Sequence, residues 1–344
     1  LFNVKNVKII HINNVIVHNG SEKGLNDVKY YLLLLLTSLL WGGNFIVGKT
    51  LVDHATPITL TILRWTIAII CLVPLVWHKE KRLIPPKNAL LPLFLMGITG
   101  VALFQALQFM ALEKTSATNV GLISTLNMFS IAAFSFFFLK EKMNSLQFLS
   151  MYVSLFGVLL VLSKGNLELL FSMEFNVGDL YMMAAVGMWG IYSVCSKWAM
   201  SFVSPMMSIL YSGIFGLLAL LPFGTADFTV TDVSASFLLS ILYTGLISTV
   251  LCMVLWNIGI SQLGPSASGL FLNFNPIFTA LLAFIFLGEV MNWIQAIGSI
   301  IVIAGCFLFS ALKTRPGKTT MGIPAPVFKR GTEGGTEGQV PRPS

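Results

Sequence analysis

The chain has 344 residues, of which 56% are apolar and only 10% charged, and its formal net charge is +7. A soluble domain carries roughly 25% charged residues, so this chain has too little polar surface to cover a water-soluble globule; its mean hydropathy of +0.83 assigns it to the lipid bilayer. The charges cluster in loops and tails, so membrane orientation accounts for the positive balance before nucleic acid does, and no nucleic-acid partner is expected.

Residues 1–29 are rich in Asn, Val, Ile and Lys. No long apolar run with a small-residue cleavage site precedes the first span, so the segment reads as an N-terminal cytoplasmic tail and not a signal peptide. Ten apolar spans follow, at about 30–48, 57–77, 89–111, 116–138, 145–163, 178–198, 205–223, 235–258, 266–287 and 292–312, each near the roughly 20 residues that cross a bilayer as helix. They form a first unit at 30–163, a linker at 164–177 and a second unit at 178–312. Residues 313–344 are basic, then rich in Gly and Pro, with Gly-Thr-Glu-Gly twice at 331–338; this composition cannot bury a core and reads as a disordered basic C-terminal tail. Backbone groups in lipid must bond internally, and runs such as Leu32–Leu36 do not alternate as barrel strands do. The expected class is an all-α membrane protein. Cys71, Cys195, Cys252 and Cys306 each sit inside an apolar run without metal-site spacing, so they read as small packing residues. No disulfide, metal or other cofactor is expected.

The two units are one sequence written twice. Trp41-Gly42-Gly43-Asn44-Phe45-Ile46-Val47-Gly48-Lys49 is echoed by Trp189-Gly190-Ile191-Tyr192-Ser193-Val194-Cys195-Ser196-Lys197, with Trp, Gly and Lys kept at an offset of 148 residues. The same offset carries Pro57 to Pro205, Pro74 to Pro222, Gly97 to Gly245, Gly121 to Gly269, Asn127 to Asn275, Glu141 to Glu289 and Gly157 to Gly305. Each copy has five spans, an odd number, so the second must enter the membrane from the opposite side. The fold expected is ten transmembrane helices as two inverted five-helix repeats, an arrangement that opens a shared midplane cavity to either side in turn. Lys5, Lys8, Lys23, Lys29, Lys79, Lys81, Arg82, Lys87, Lys140, Lys142 and the basic C-tail fall on one side, against Lys49, Lys114 and Lys164 on the other. The bias places both termini in the cytoplasm, and Glu141 and Glu289 on opposite faces.

No catalytic pattern is present. His11, His18, His54 and His78 all lie in tails or loops, and the spans contain neither a His-Glu-x-x-His motif nor a Ser–His–Asp set, so an intramembrane enzyme is not expected. The few polar residues inside spans carry the functional information. Arg64 lies about two turns into the second span; a cation there either meets a substrate carboxylate or snorkels to the membrane face. Trp41 and Asn44 share a helix face, and Trp189 and Tyr192 repeat the pair, so these four either wall one central cavity or anchor the interface. Gln105 and Gln108 line a cavity from span three. Asn127 and its equivalent Asn275 line it too, or bond neighbouring helices. Tyr243 and Trp256 add aromatic wall. Lys49 and Lys197 close spans one and six, where a cation complements a helix C-terminus; Glu141 and Glu289 close spans four and nine as caps or ion pairs. No Asp or Glu lies near the middle of a span, which leaves uncoupled flux and antiport equally open.

In this order, and duplicated, the Trp-Gly-Gly-Asn-Phe-Ile-Val-Gly-Lys run, Leu63-Arg64-Trp65, Thr115-Ser116-Ala117-Thr118, and the Leu-Lys-Glu and Leu-Gly-Glu closings ending at Glu141 and Glu289 resemble the drug/metabolite transporter superfamily, EamA-type permeases in particular. The resemblance covers about residues 30–312. It implies a central cavity between spans one to four and six to nine, with spans five and ten at the periphery in packing or homodimer contacts. It also implies a multi-pass permease of the inner or plasma membrane that moves small metabolites by alternating access. An amino-acid exporter is the leading expectation, with multidrug or other metabolite efflux as the rival and a non-transporting receptor or scaffold behind them. Phosphate-carrying relatives use several cavity cations, whereas Arg64 stands alone here. Pro276 in span nine is matched by Met128 in span four, so a kink is expected in the former and is in doubt for the latter.

Overall fold

The computed structural model describes residues 28–115, 117–163, 166, 176–224, 228–287 and 292–312. Most of the two tails and of the linker, and Glu289, lie outside the described residues. Those described are helical. One isolated bridge, Ala55 to Val230, is the sole β pairing among them.

In chain order the helices are α1 (Val28–Leu51, with a turn at Gly43), α2 (Pro57–Glu80), α3 (Lys87–Lys114), α4 (Ala117–Ser124 and Asn127–Leu139), α5 (Ser145–Ser163), α6 (Val177–Ala199), α7 (Pro205–Gly224), α8 (Ala235–Leu263), α9 (Pro265–Leu270, a 3-10 turn Phe271–Asn273, then Phe274–Leu287) and α10 (Trp293–Ala311). Eight are long and apolar enough to cross a bilayer. The other two are α6, whose Gly, Ser, Tyr and Lys residues dilute its apolar run, and α9, whose uninterrupted pieces are short. Their boundaries follow local chemistry. Pro57 and Pro205 open α2 and α7, where the missing N–H is harmless. Asn176 and Asn292 form capping boxes with Asp179 and Gln295, satisfying orphan amides at the starts of α6 and α10.

The helices pair across the repeats in opposite directions. On α5 and α10, a Cβ on Gly157 would lie 2.7 Å from the Gly298 carbonyl, and one on Gly305 would lie 2.8 Å from the Ser154 amide. Rising numbers on one helix thus meet falling numbers on the other. The same holds for α2 and α7, where Ile62 abuts Gly224 and Trp65 abuts Gly213, and Glu80 accepts a hydrogen bond from Ser204. The contacts obey the 148-residue offset. Gly97 packs against Ser212 and Phe215 of α7, and Gly245 against Arg64 and Ile67 of α2. Lys49 Nζ donates to the Leu112 carbonyl at 2.6 Å, and Lys197 Nζ to the equivalent Ile260 carbonyl at 3.3 Å. These lysines cap the C-terminal ends of α3 and α8 and not their own helices. The inverted repeat expected from parity is the observed geometry.

Small residues make these crossings possible. Hydrophobic drive between helices is weak in lipid, so close backbone approach and interhelical hydrogen bonds must hold them. Asn273 Nδ2 donates to Ser154 Oγ at 2.8 Å, tying α9 to α5. The outward faces are apolar: Leu146, Leu149, Tyr152 and Phe156 on α5, and Ile297, Ile300, Ile303 and Phe307 on α10, are exposed at helical spacing, as lipid-facing stripes require.

Two paired irregularities shape the centre. Gly97–Leu103 in α3 and Tyr243–Leu251 in α8 are π-helical and overlap under the offset; such turns free carbonyls for other partners. The interruptions of α4 and α9 also coincide. Pro276 in α9 has no N–H to give to Leu272, which forces a break. The doubt about span four is resolved in favour of a break there as well: Ser124 and Thr125 hydroxyls bond back to the Gly121 and Leu122 carbonyls at 2.6 and 2.7 Å, competing with the helix ladder as Pro does by absence.

Because a Cβ at Gly157 or Gly305 would meet backbone at under 3 Å, whereas one at Gly187 would meet nothing within 4 Å, Gly157→Ala and Gly305→Ala should each destabilise the purified protein by about 1–3 kcal/mol. Gly187→Ala should be neutral. Thermal unfolding followed by size-exclusion chromatography measures the difference.

A central cavity as the candidate functional site

Helices α1, α2, α3, α4, α6, α8 and α9 surround a cavity at the middle of the bundle. Its walls are Trp41, Asn44, Arg64, Phe104, Gln105, Gln108, Ser124, Asn127, Met182, Trp189, Met253, Leu272 and Asn275. The cavity they enclose is small, about 50 Å³. A metabolite needs more room than this, so the walls must part to admit one.

Arg64 is the one cation of this cavity, 2% exposed. Snorkelling is ruled out, because its guanidinium turns inward to three neutral acceptors. Nη1 donates to Gln105 Oε1 at 2.9 Å, Nη2 to Ser248 Oγ at 3.0 Å, and Nε to Thr249 Oγ1. Thr249 and Ser248 belong to the π-helical turn of α8, and Thr249 Oγ1 itself donates to the Thr244 carbonyl at 2.7 Å. The sole ion pair among the described residues is Lys114–Glu113, so Arg64 has no carboxylate there. A guanidinium carries five N–H donors; three are engaged, which leaves capacity for an anion.

Trp41 Nε1 donates to the Ser248 carbonyl at 2.9 Å, so the same π turn positions both the indole and the guanidinium. Trp41 and Trp189 meet edge to face with centroids 5.7 Å apart, and Phe104 lies 4.6 Å from Trp189. Between these rings and Arg64, several polar atoms are buried without a partner: Asn44 Oδ1, Asn127 Oδ1, Asn275 Oδ1 and Trp189 Nε1. Buried orphan acceptors are unfavourable in an empty protein and become useful when a ligand donates to them. The interhelical bonds expected of Asn127 and Asn275 are made instead by Asn273, to Ser154, and by Asn257, which accepts from Tyr192 and Ser196 and donates to Ser208 at 3.1 Å.

Eight of the eleven residues singled out from sequence face the cavity. Tyr192, Tyr243 and Trp256 do not. Tyr192 is stacked behind Trp189 with centroids 4.8 Å apart and donates to Asn257. Trp256 is packed against both Trp41 and Trp189, at 5.6 and 5.8 Å. Tyr243 donates its hydroxyl to the Leu40 carbonyl and approaches Gly43. These three support the wall. Phe104, Ser124, Met182, Met253 and Leu272 were missed. The repeat held a signal for one of them, since the offset carries Gln105 to Met253; Ser124 and Leu272 are each other's counterparts, and neither stood out.

That pairing exposes an asymmetry. Six of the eight wall residues from the first repeat are polar or charged, and Asn275 is the one such residue among five from the second. Equivalent positions diverge in one direction: Arg64 becomes Ser212, Gln105 becomes Met253, Gln108 becomes Trp256 and Ser124 becomes Leu272. The polar wall residues thus come mainly from the first repeat and the apolar ones mainly from the second.

A second, open cleft lies where α1 ends and α2 begins, lined by Asp53, His54, Met110, Glu113, Thr229 and Thr231 among others. It contains none of the residues singled out from sequence.

With the geometry in hand, comparison with known proteins is informative. The EamA-like transporter family model matches residues 28–163 and 176–311. A protein of Archaeoglobus fulgidus named an uncharacterized transporter is 30% identical over 286 residues, covering 82% of this chain and 98% of that one. The uncharacterized transporter YyaM of Bacillus subtilis is 27% identical over 301 residues, covering 86% and 98%. A solved crystal structure shares the fold, with a TM-score of 0.68 at 18% identity, over 83% of this chain and 97% of that one.

Because Trp256 is 1% exposed behind the wall, Trp256→Ala should destabilise the protein by about 3–5 kcal/mol. Gln108→Ala, at the cavity surface, should change stability by under about 1 kcal/mol. Denaturation in detergent tests the contrast.

Proposed function

The chain belongs to the EamA-like transporter family and is a multi-pass membrane transporter; on that premise we propose that it exports amino acids by alternating access. The observation that carries the reading is a cavity wall that combines a buried guanidinium, unpartnered amide oxygens and apolar side chains. A carboxylate fits the two free N–H donors of Arg64, where a charge-assisted, bidentate pair is strong and geometrically selective. An ammonium group fits the orphan carbonyl oxygens of Asn44, Asn127 and Asn275. An apolar side chain fits against wall residues such as Trp189, Met182, Met253 and Leu272. A zwitterion with an apolar tail satisfies all three at once.

The same features argue against the near rival. A lipophilic cation would meet an uncompensated guanidinium with no wall carboxylate to offset the repulsion. One cation is also a poor match for an organic phosphate of two negative charges. The proposed location is the cytoplasmic or plasma membrane with both termini inside. Supporting that orientation, the junctions holding Lys79, Lys81, Arg82, Lys87, Lys140 and Lys142 all lie at one end of the bundle, while Asp53 and Glu113 lie at the other.

Cells overexpressing the chain, challenged with toxic amino-acid analogues and separately with lipophilic cations, should be protected against the former and not the latter. Arg64→Ala should remove at least about 90% of that protection, a loss of the size expected for a charge-assisted bond, with the membrane level of the protein unchanged. Protection against cations alone, or full activity of Arg64→Ala, would contradict the reading.

A further inference from the structure

The two ends of the bundle are held by unlike chemistry. At the end where α1 and α3 finish and α4 and α6 begin, Asp179 is buried at 2% exposure, one helical turn from the wall residue Met182. Its Oδ1 accepts from Thr115 Oγ1 at 3.0 Å and from Asn119 Nδ2 at 3.4 Å, and its Oδ2 accepts from the Asn176 amide at 3.0 Å. Asn119 Nδ2 and Asn176 Nδ2 each donate to Thr115 Oγ1 at 3.1 Å. The carboxylate has no cationic partner among the described residues, so neutral donors from the α3–α4 hairpin and from its own helix cap hold it.

The repeat supplies its own control. The offset carries Thr115 to Leu263 and Asn119 to Ala267, and carries Asn176 and Asp179 back to Val28 and Tyr31. At the opposite end, where α8 finishes and α9 begins beside α1, the equivalent positions hold other side chains. There Tyr31 stacks on Phe271 with centroids 5.4 Å apart. Ser266 donates to Glu141 at 2.6 Å, but that bond joins α9 to the end of α4, not to α1. The lysine contacts at Lys49 and Lys197 occur at both ends and cannot favour either. In a symmetric frame, a preference for closing one end must come from residues that differ between the halves. Hydrogen bonds to an ionised group are roughly twice as strong as neutral ones; the opposite end has Ser204 on Glu80 and Ser266 on Glu141, each a single bond, whereas Asp179 gathers three donors. The open cleft beside Asp53 and Glu113 lies at the same end, next to the hairpin that would move.

We propose that Asp179 is a positioning residue for transport: it latches the α3–α4 hairpin onto α6 and biases the carrier toward closure at this end of the cavity. The latch acts on the direction of opening and is independent of which substrate the cavity takes. Under the orientation proposed above, it guards the outer face.

Hydrogen–deuterium exchange of the full chain in lipid nanodiscs tests it, comparing the native protein with Asp179→Asn and Thr115→Val. The second substitution keeps the side-chain volume and deletes the hydroxyl. Both should speed amide exchange in residues 108–115 and 176–182 by about tenfold or more, the scale of losing a charge-assisted bond from a local opening equilibrium. Exchange in residues 257–270 should stay level or slow, because opening one end closes the other. An equal rise at both ends would reduce the network to general stability and overturn the proposal, as would unchanged exchange at 108–115 in Thr115→Val. That variant decides alone if Asp179→Asn does not fold.

Discussion

Two halves with an odd number of spans can enclose one cavity across a bilayer only by running in opposite directions, and that demands places where backbone meets backbone. Gly157, Gly298 and Gly305 supply them between α5 and α10, Gly97 and Gly216 between α3 and α7, and Gly42 and Gly190 where the central helices cross their neighbours. A side chain at these points would hold the helices apart and remove the dispersion contacts that replace hydrophobic drive in lipid. The meeting of Trp41 with Trp189 at the centre follows from that frame.

Within the symmetric frame the chemistry is lopsided, and the lopsidedness makes a site. A guanidinium at the centre of a membrane helix is unfavourable by about 2.5–3.5 kcal/mol on insertion scales. Gln105, Ser248 and Thr249 offset part of this without neutralising the charge, so the cavity remains attractive to an anion. The π turn of α8 is the device that allows it: the widened turn presents the Ser248 carbonyl to Trp41 and two hydroxyls to Arg64. The apolar wall residues are equally a product of divergence, since Met253 and Leu272 stand where the first repeat has Gln105 and Ser124. Duplication built the walls, and loss of symmetry gave them both polar and apolar residues.

Much of this was legible in the sequence because membrane constraints are severe. Apolar runs and loop charges located the spans, and the constant offset of residues such as Trp41, Pro57 and Gly97 exposed the inverted repeat. Arg64, Trp41, Asn44 and the glutamines stood out because polar residues in lipid are few. Depth behind the wall was not legible: Trp256 and Tyr192 share the composition of cavity aromatics, and only packing shows that Trp189 covers them. The break in α4 was hidden because Ser124 and Thr125 interrupt a helix through side-chain bonds that many serines and threonines in helices do not make. The hydroxyls that hold Arg64 were not legible for a related reason, since Ser248 and Thr249 reach it from a widened, π-helical turn. The role of Asp179 escaped notice because it sits at a span end, where a capping carboxylate is ordinary; its burial and its partners on α3 and α4 required the fold.

The inverted arrangement is tested most directly by topology labelling at repeat-related loops. Cysteines placed at Lys142, between α4 and α5, and at Trp293, exposed at the start of α10, in a chain otherwise free of cysteine, would be treated in intact cells with a membrane-impermeant maleimide. Labelling of the position 293 cysteine alone, with the position 142 cysteine reacting only after permeabilisation, is the predicted result. Equal reaction of both from the same side would contradict the antiparallel halves, and with them the shared cavity.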